Sequence, residues 1–269
     1  MFPPHARYIS DLVPSSLLFL PFPMIPAKKS RLANAFIGSL ITRSLRRRFR
    51  AVYVIGAENL ARLDPSKPVV GCSNHPNWWD GFVLLELTRK RLPEREFYIA
   101  VEERNLARYF FFPWLGAFGV GLGTAAAAVA GLRYAVRLLR DHPSRLAWFF
   151  VQGTLTSPRE PIVAKPGASF LARHAVAQLL PVVLRYEWLI ESKPSIFISI
   201  GEPLPATTEP AALAARLNAL NADLGARVNA PAHHGFDAVH PPRLSLNKRW
   251  DYFLHLVTGR RAKFERDNR

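Results

Sequence analysis

The run Asn74-His75-Pro76-Asn77-Trp78-Trp79-Asp80 places a histidine and an aspartate five residues apart. A carboxylate that holds one imidazole nitrogen fixes the tautomer and leaves the other nitrogen to take a proton from a hydroxyl. In a continuous α-helix the two would not meet, because five steps at about 3.6 residues per turn rotate one side chain roughly 140° off the other's face. Pro76 removes that difficulty. Proline suits the first helical position and drives the preceding residue out of the α region. His75 is therefore expected to sit extended at a helix mouth, with Asp80 one turn inside and in reach of its ring. No obvious nucleophile stands beside the pair, so the chemistry indicated is proton abstraction.

Two more turns carry groups suited to such a site. Phe149-Phe150-Val151-Gln152-Gly153-Thr154-Leu155-Thr156 reads as a strand followed by a turn, with Gln152 a neutral group able to orient a hydroxyl. Lys165-Pro166-Gly167 opens the next helical pattern and puts a cation and free backbone N–H groups where an anion is accommodated. Trp78, just past the histidine, is a candidate wall for a lipid-facing pocket, although core packing is the commoner fate of tryptophan.

These turns need elements to hold them. Short apolar runs predict strands at Val52–Ile55, Val69–Ser73, Phe97–Val101, Leu146–Val151, Pro181–Tyr186 and Ile196–Ile200. Helical patterns fall at 77–91, 103–111, 124–141, 167–178, 209–228 and 246–262, and residues 229–245 read as a loop. Alternating strands and amphipathic helices predict a single α/β domain, a mixed sheet flanked by helices. His75 then emerges at the C-terminal end of a strand, where ligands bind in open α/β sheets. The expected division is an interfacial segment over 1–50, a core over 51–205 and a C-terminal helical extension over 206–269.

The chain has 269 residues, 49% of them hydrophobic, which is ample for one large core. Thirty-six Lys and Arg against 20 Asp and Glu leave a formal charge of +16, which directs the chain toward nucleic acid, anionic lipid or phosphorylated small molecules. Cys72 is the one cysteine, which excludes an internal disulfide and a cysteine-based zinc site and fits a reducing compartment. His233, His234 and His240 lie in a proline-rich loop and read as a solvated cluster, so no metal is expected. No stretch reaches the roughly 18–20 apolar residues that span a bilayer; residues 16–25 are short and broken by prolines. Residues 28–50 look helical, with Leu32, Phe36, Leu40, Ile41, Leu45 and Phe49 recurring among eight cations and no acid. A basic amphipathic helix beside an apolar foot predicts an interfacial anchor on an anionic membrane.

The order of these motifs resembles the glycerolipid acyltransferase superfamily, the 1-acylglycerol-3-phosphate (lysophospholipid) acyltransferase-like proteins. The first family block, N-H-x-x-x-x-D, matches at Asn74, His75 and Asp80. The third, usually F-P-E-G-T-R-S, matches at Phe150, Gly153 and Thr154, with Val151, Gln152 and Leu155 in place of Pro, Glu and Arg. The following K-x-G matches at Lys165 and Gly167, and the fourth block at Pro181-Val182. The second block maps to 113–123 but ends in Gly123-Thr124 where the family has an arginine. The resemblance covers about 51–200. It implies O-acyl transfer in lipid metabolism, from acyl-CoA or an acyl carrier protein to a lipid hydroxyl, with His75 and Asp80 as general base and no acyl-enzyme or bound cofactor. It further implies contacts to substrate from Asn74, Trp78, Gln152, Gly153, Thr154, Lys165 and Gly167, and a peripheral location on the cytoplasmic face of a membrane. Both arginines that the family associates with an acceptor phosphate are absent. The expected acceptor is therefore atypical, a hydroxylated or glycosylated lipid or a lysolipid with another headgroup, unless Arg104, Arg133, Arg159 or Lys165 takes over. Competing readings are a catalytically silent lipid binder and a nucleic-acid-binding protein. The basic residues gather at the chain's two ends beside apolar faces, without a nucleic-acid recognition motif, so no nucleic acid is expected.

Overall fold

Val69–Ser73 is buried at every position, as a strand covered on both faces must be. The computed structural model describes residues 24–121, 123–189, 192–230 and 235–242. It sets this strand, β2, inside an eight-stranded mixed sheet. The other strands are β1 (Val52–Ile55), β3 (Glu96–Glu102), β4 (Ala117–Val120), β5 (Arg145–Phe150), β6 (Gln178–Glu187), β7 (Ser195–Ile200) and β8 (Asp237–His240). Their spatial order is β4-β3-β5-β2-β6-β7-β1-β8. β2 runs parallel to both neighbours, with Ser73 opposite Phe150 of β5 and Val182 of β6. Three adjacent strands therefore end on the same side of the sheet.

The helices are α1 (Arg31–Arg48), α2 (Asp80–Arg91), α3 (Glu103–Arg108), α4 (Phe112–Leu115), α5 (Ala125–Asp141), α6 (Gly167–Ala175) and α7 (Pro210–Asn229). Strand alternation divides the apolar side chains between the two faces of the sheet. Val69, Leu180, Val182 and Leu184 pack with Leu45 of α1 and Leu84 of α2. Val70, Cys72 and Val183 pack with Leu139 of α5, Leu171 of α6 and Leu217 of α7. The result is the expected mixed sheet between helical layers, with each of the six predicted strands in place.

Several expectations are corrected. Pro76 does not start α2, which begins at Asp80. Residues 77–79 instead make a turn in which Asn77 Oδ1 accepts from Trp79 N at 3.1 Å, local side-chain bonding that competes with the helix. The helix expected over 103–111 stops at Arg108, and Pro113 lies in the first turn of a separate α4. The one expected over 167–178 ends at Ala175, because Val176 adopts a left-handed φ of 52° and Gln178 already opens β6. The loop over 229–245 contains β8, a four-residue edge strand antiparallel to β1. The helix expected over 246–262, and His233 and His234, lie outside the described residues.

The segments expected to flank the core at 50 and 205 both pack against it. Ile41, Leu45 and Phe49 enter the core beside α2, and Leu213, Leu217 and Leu224 of α7 are fully buried against the sheet. Glu86, buried on α2, binds the N- and C-terminal elements together: Thr42 Oγ1 of α1 donates to its Oε2 at 2.7 Å, and His240 Nε2 of β8 lies 3.0 Å from Oε1. Burial pushes the Glu86 carboxyl up, but His240, Thr42 and Arg89 outweigh it and hold it below its ordinary value.

One contact fixes α2 to the sheet. The Trp148 ring on β5 lies over Gly71 on β2, where a Cβ would stand 2.2 Å from Cε3, and Trp148 Nε1 donates to Thr88 Oγ1 of α2 at 3.0 Å. Gly71→Ala must displace that ring within a close-packed core. Overpacking of this kind is expected to cost about 3 kcal/mol in urea denaturation; unchanged stability would mean the ring is free to move.

Candidate active site

β2, β5 and β6 each deliver one part of the site at their C-terminal ends. His75 follows β2, the turn from Val151 to Thr156 follows β5, and Tyr186 stands near the end of β6. His75 Nδ1 lies 2.8 Å from Asp80 Oδ2, which also accepts from Asn77 N at 2.9 Å. Tyr186 Oη donates to Asp80 Oδ1 at 2.6 Å. The Asp80 side chain is fully buried, whereas that of His75 keeps 20% of its exposure. With Asp80 ionised, Nδ1–H donates to it and Nε2 is left to accept a proton. Burial raises the Asp80 carboxyl, against the bonds from His75, Tyr186 and Asn77, which stabilise its charge. Burial and the neighbouring carboxylate hold the Tyr186 hydroxyl well above its ordinary value, so it remains a donor.

The imidazole is fixed from a second direction. Phe150 stacks on it with centroids 3.8 Å apart and planes 5° from parallel. Thr156 N donates to His75 O at 3.0 Å, pinning the loop after β5 to the histidine backbone.

The other expected site residues divide by position. Asn74 is buried and both ends of its amide bind the Leu184 backbone, Oδ1 accepting from N at 2.8 Å and Nδ2 donating to O at 3.0 Å. That clamp holds the end of β2 against β6 and leaves the amide engaged with protein. Trp78 is half exposed and lines an apolar cleft. Gln152 is buried, and its Oε1 has no hydrogen-bond partner among the described residues. Gly153 takes a φ of 72°, a left-handed turn that favours glycine. Its N–H donates to Phe150 O at 2.9 Å, which closes the turn. Lys165 N donates to Val151 O, and its ammonium reaches the turn, where a Cβ on Gly153 would lie 3.2 Å from Nζ. Thr154 is exposed on that loop, and Gly167 begins α6. Thr124 Oγ1 caps α5 by accepting from Ala127 N at 3.2 Å. Of the alternative cations, Arg104 pairs with Glu102.

A cleft of about 700 Å³, counting its open mouth, begins at His75 and Phe150 and continues between Phe82, Leu85, Ile99 and Leu115. Tyr109 and Phe112, stacked at 5.1 Å, form part of its wall. Its lining is apolar apart from His75, Asn105, Tyr109 and the Trp78 indole, so it suits a hydrocarbon chain whose reactive end lies at the imidazole.

The Acyltransferase family profile matches residues 51–185, the stretch that holds the dyad, the loop after β5 and β6 as far as Arg185. The chain belongs to the Acyltransferase family. It is an acyltransferase. Its structure is similar to that of the 1-acyl-sn-glycerophosphate (LPA) acyltransferase PlsC from Thermotoga maritima, with a TM-score of 0.51 and 16% identity over 73% of this chain and 80% of that one. At that identity the likeness is one of fold. No curated protein matches the chain significantly.

The candidate site includes two residues to which the motif pattern assigns no role. Phe150 was noted only as a motif position, and nothing in sequence places its ring on His75. Tyr186 was readable: Leu180, Val182, Leu184 and Tyr186 alternate onto the α2 face of β6, and a phenol ending that row at the strand's C-terminal end points its hydroxyl toward the site. Removing this bond strips a group that stabilises ionised Asp80, so Tyr186→Phe should raise the Asp80 carboxyl further. Activity that requires the carboxylate is then lost at a higher pH. The acidic limb of the variant's kcat/KM profile should move up, with the fold retained by circular dichroism. A superimposable profile would place Tyr186 outside the relay.

Proposed function

We propose that this acyltransferase moves a fatty acyl group from acyl-CoA or an acyl carrier protein to a hydroxyl of a lipid acceptor, with His75 as general base and Asp80 as its orienting partner. The observation that carries this reading is the His75–Asp80 pair at the head of the apolar cleft. The acyl chain lies in the cleft with its thioester carbonyl at the imidazole. Nε2 takes the acceptor's hydroxyl proton as that oxygen attacks the carbonyl carbon, and the tetrahedral intermediate collapses with loss of the thiolate, to which the imidazolium returns the proton. The new C–O bond replaces the C–S bond, and no acyl-enzyme forms. Cys72 and Ser73, the nearest candidate nucleophiles in sequence, are both fully buried, and burial pushes the Cys72 thiol up.

The reaction places the enzyme in glycerolipid or phospholipid synthesis, held peripherally on the cytoplasmic face of an anionic membrane. Among the described residues no helix is long and apolar enough to cross one. His75→Ala is expected to lower turnover by about 10²–10⁴-fold in a thioester-release assay, while leaving the protein folded and membrane-bound. Near-normal turnover would remove the base assignment.

The acceptor we propose lacks a phosphate at the loop after β5. Leu155 stands half exposed where the resembling family has arginine, Thr124 uses its hydroxyl as a helix cap, and buried Gln152 offers a neutral oxygen to a hydroxyl donor. A hydroxylated or glycosylated lipid, or a lysolipid with another headgroup, suits that surface. Lys165 over the Gly153 turn favours the second reading, an acceptor phosphate held by an ammonium. With one acyl donor, uncharged hydroxylated lipids are expected to turn over ahead of lysophosphatidate. The reverse order, with saturation by lysophosphatidate, would return the acceptor to a phosphate monoester.

A further inference from the structure

Residues 12–57 and 104–140 contain no aspartate or glutamate. The fold joins the described part of the first stretch to the second: Lys28 N donates to Pro113 O and Ser30 N to Trp114 O, and Asn34 Nδ2 donates to Trp114 O at 2.8 Å. The start of α1 and the short α4 thus form one unit at the side of the cleft. That unit leaves large apolar side chains in solvent. On α1, Leu32, Phe36 and Leu40 are 84%, 69% and 48% exposed. Across the α1–α4 contact Phe110 is 70% and Trp114 40% exposed, meeting edge to face at 5.6 Å. Large apolar side chains exposed in such number on one unit mark a binding face.

The arrangement of the cations identifies the occupant. At about 100° per residue, Leu32, Phe36, Leu40, Arg43 and Arg47 fall within roughly 80° of arc on α1. This face is apolar in its first half and cationic in its second, and both arginines are exposed. Aromatic side chains favour the membrane interface, and guanidinium groups without carboxylate partners favour lipid phosphates. Residues 109–114 also have two sides, since Tyr109 and Phe112 line the cleft while Phe110 and Trp114 point away from it.

We infer that the outer stripe of α1 and an aromatic lip made by Phe110 and Trp114 form a single docking surface for an anionic bilayer, which sets the cleft against the membrane that supplies or receives its lipid. The inference rests on the peripheral membrane location proposed above and extends it beyond the N-terminal segment to a lip carried by the catalytic domain itself. Neither lip residue is part of the cleft lining.

The test uses the full chain and sedimentation with phosphatidylcholine vesicles, with and without phosphatidylglycerol, in the absence of acyl donor and acceptor. Phe110→Ser with Trp114→Ser is expected to lower partitioning onto anionic vesicles by about tenfold or more without changing thermal unfolding. Arg43→Glu with Arg47→Glu is expected to remove most of the preference for anionic over neutral vesicles. A polarity-sensitive dye on Phe110→Cys reports insertion directly, since Cys72 is fully buried, and its emission should shift to the blue on vesicles. Wild-type partitioning by the lip variant, or an unshifted dye, overturns the proposal. So does a lip variant that loses self-association but not vesicle binding, which would make the face a contact between copies. Because no substrate is present, failure of the acyl-transfer mechanism would leave this result standing, and failure here would leave the dyad assignment untouched.

Discussion

The site depends on keeping one carboxylate charged without water. Asp80 is fully buried, and burial alone would drive it toward its neutral form. Three donors from three parts of the chain oppose this: the His75 ring, the Asn77 N–H and the Tyr186 hydroxyl. Because a buried charge is tolerated only when paired and hydrogen-bonded, the carboxylate forces these three segments into one geometry. The end of β2, the turn into α2 and the end of β6 are therefore as much a consequence of Asp80 as a support for it. The His75 tautomer follows without further help.

The same demand explains why α2 is anchored at several points. Asp80 is its first residue, so any drift of the helix moves the carboxylate away from His75 and Tyr186. Thr88 receives the Trp148 indole from β5 two turns further on. Between them, Glu86 reaches Thr42 of α1 and His240 of β8. Phe49, at the end of α1, packs on both Trp79 and Tyr186, at 5.8 and 5.6 Å between ring centroids. The elements expected to be an anchor and an extension are thus part of what holds the His75–Asp80 pair.

The strands with long apolar runs were legible because burial on both faces writes itself into composition. β4 was not: Ala117-Phe118-Gly119-Val120 is short and interrupted by glycine, and it pairs only with β3 among the strands. β8 carries two exposed residues out of four and presents no apolar run. The His75–Asp80 contact was correctly expected on partly wrong grounds. His75 does lie outside the helix, but Asp80 reaches it from the first residue of α2, across a turn organised by Asn77, and not from one turn inside. The cleft was invisible in sequence, because its walls come from residues between 75 and 150 that meet only after β2, β3 and β5 have paired. Nor does sequence show that the Asn74 amide bonds the Leu184 backbone at both ends.

Of the departures in the loop after β5, Gln152 lies in a buried place, where a glutamate would be a charge costly to keep. Gln152 avoids that cost by keeping the shape and hydrogen-bonding capacity of glutamate without its charge. The turn from Val151 to Thr156 thus carries no charged side chain and has the Lys165 ammonium beside Gly153, and Asp80 is the carboxylate bonded to His75. In the proposed proton transfer, the Nδ1 side of the imidazole faces a carboxylate that Tyr186 and Asn77 also hydrogen-bond. On the Nε2 side the surroundings are the Phe150 ring and the apolar cleft, where a departing proton finds no competing base among the cleft-lining residues. The His75–Asp80 geometry is set by β2, α2 and β6, while the departures from the family pattern at Val151, Gln152 and Leu155 lie in the loop after β5.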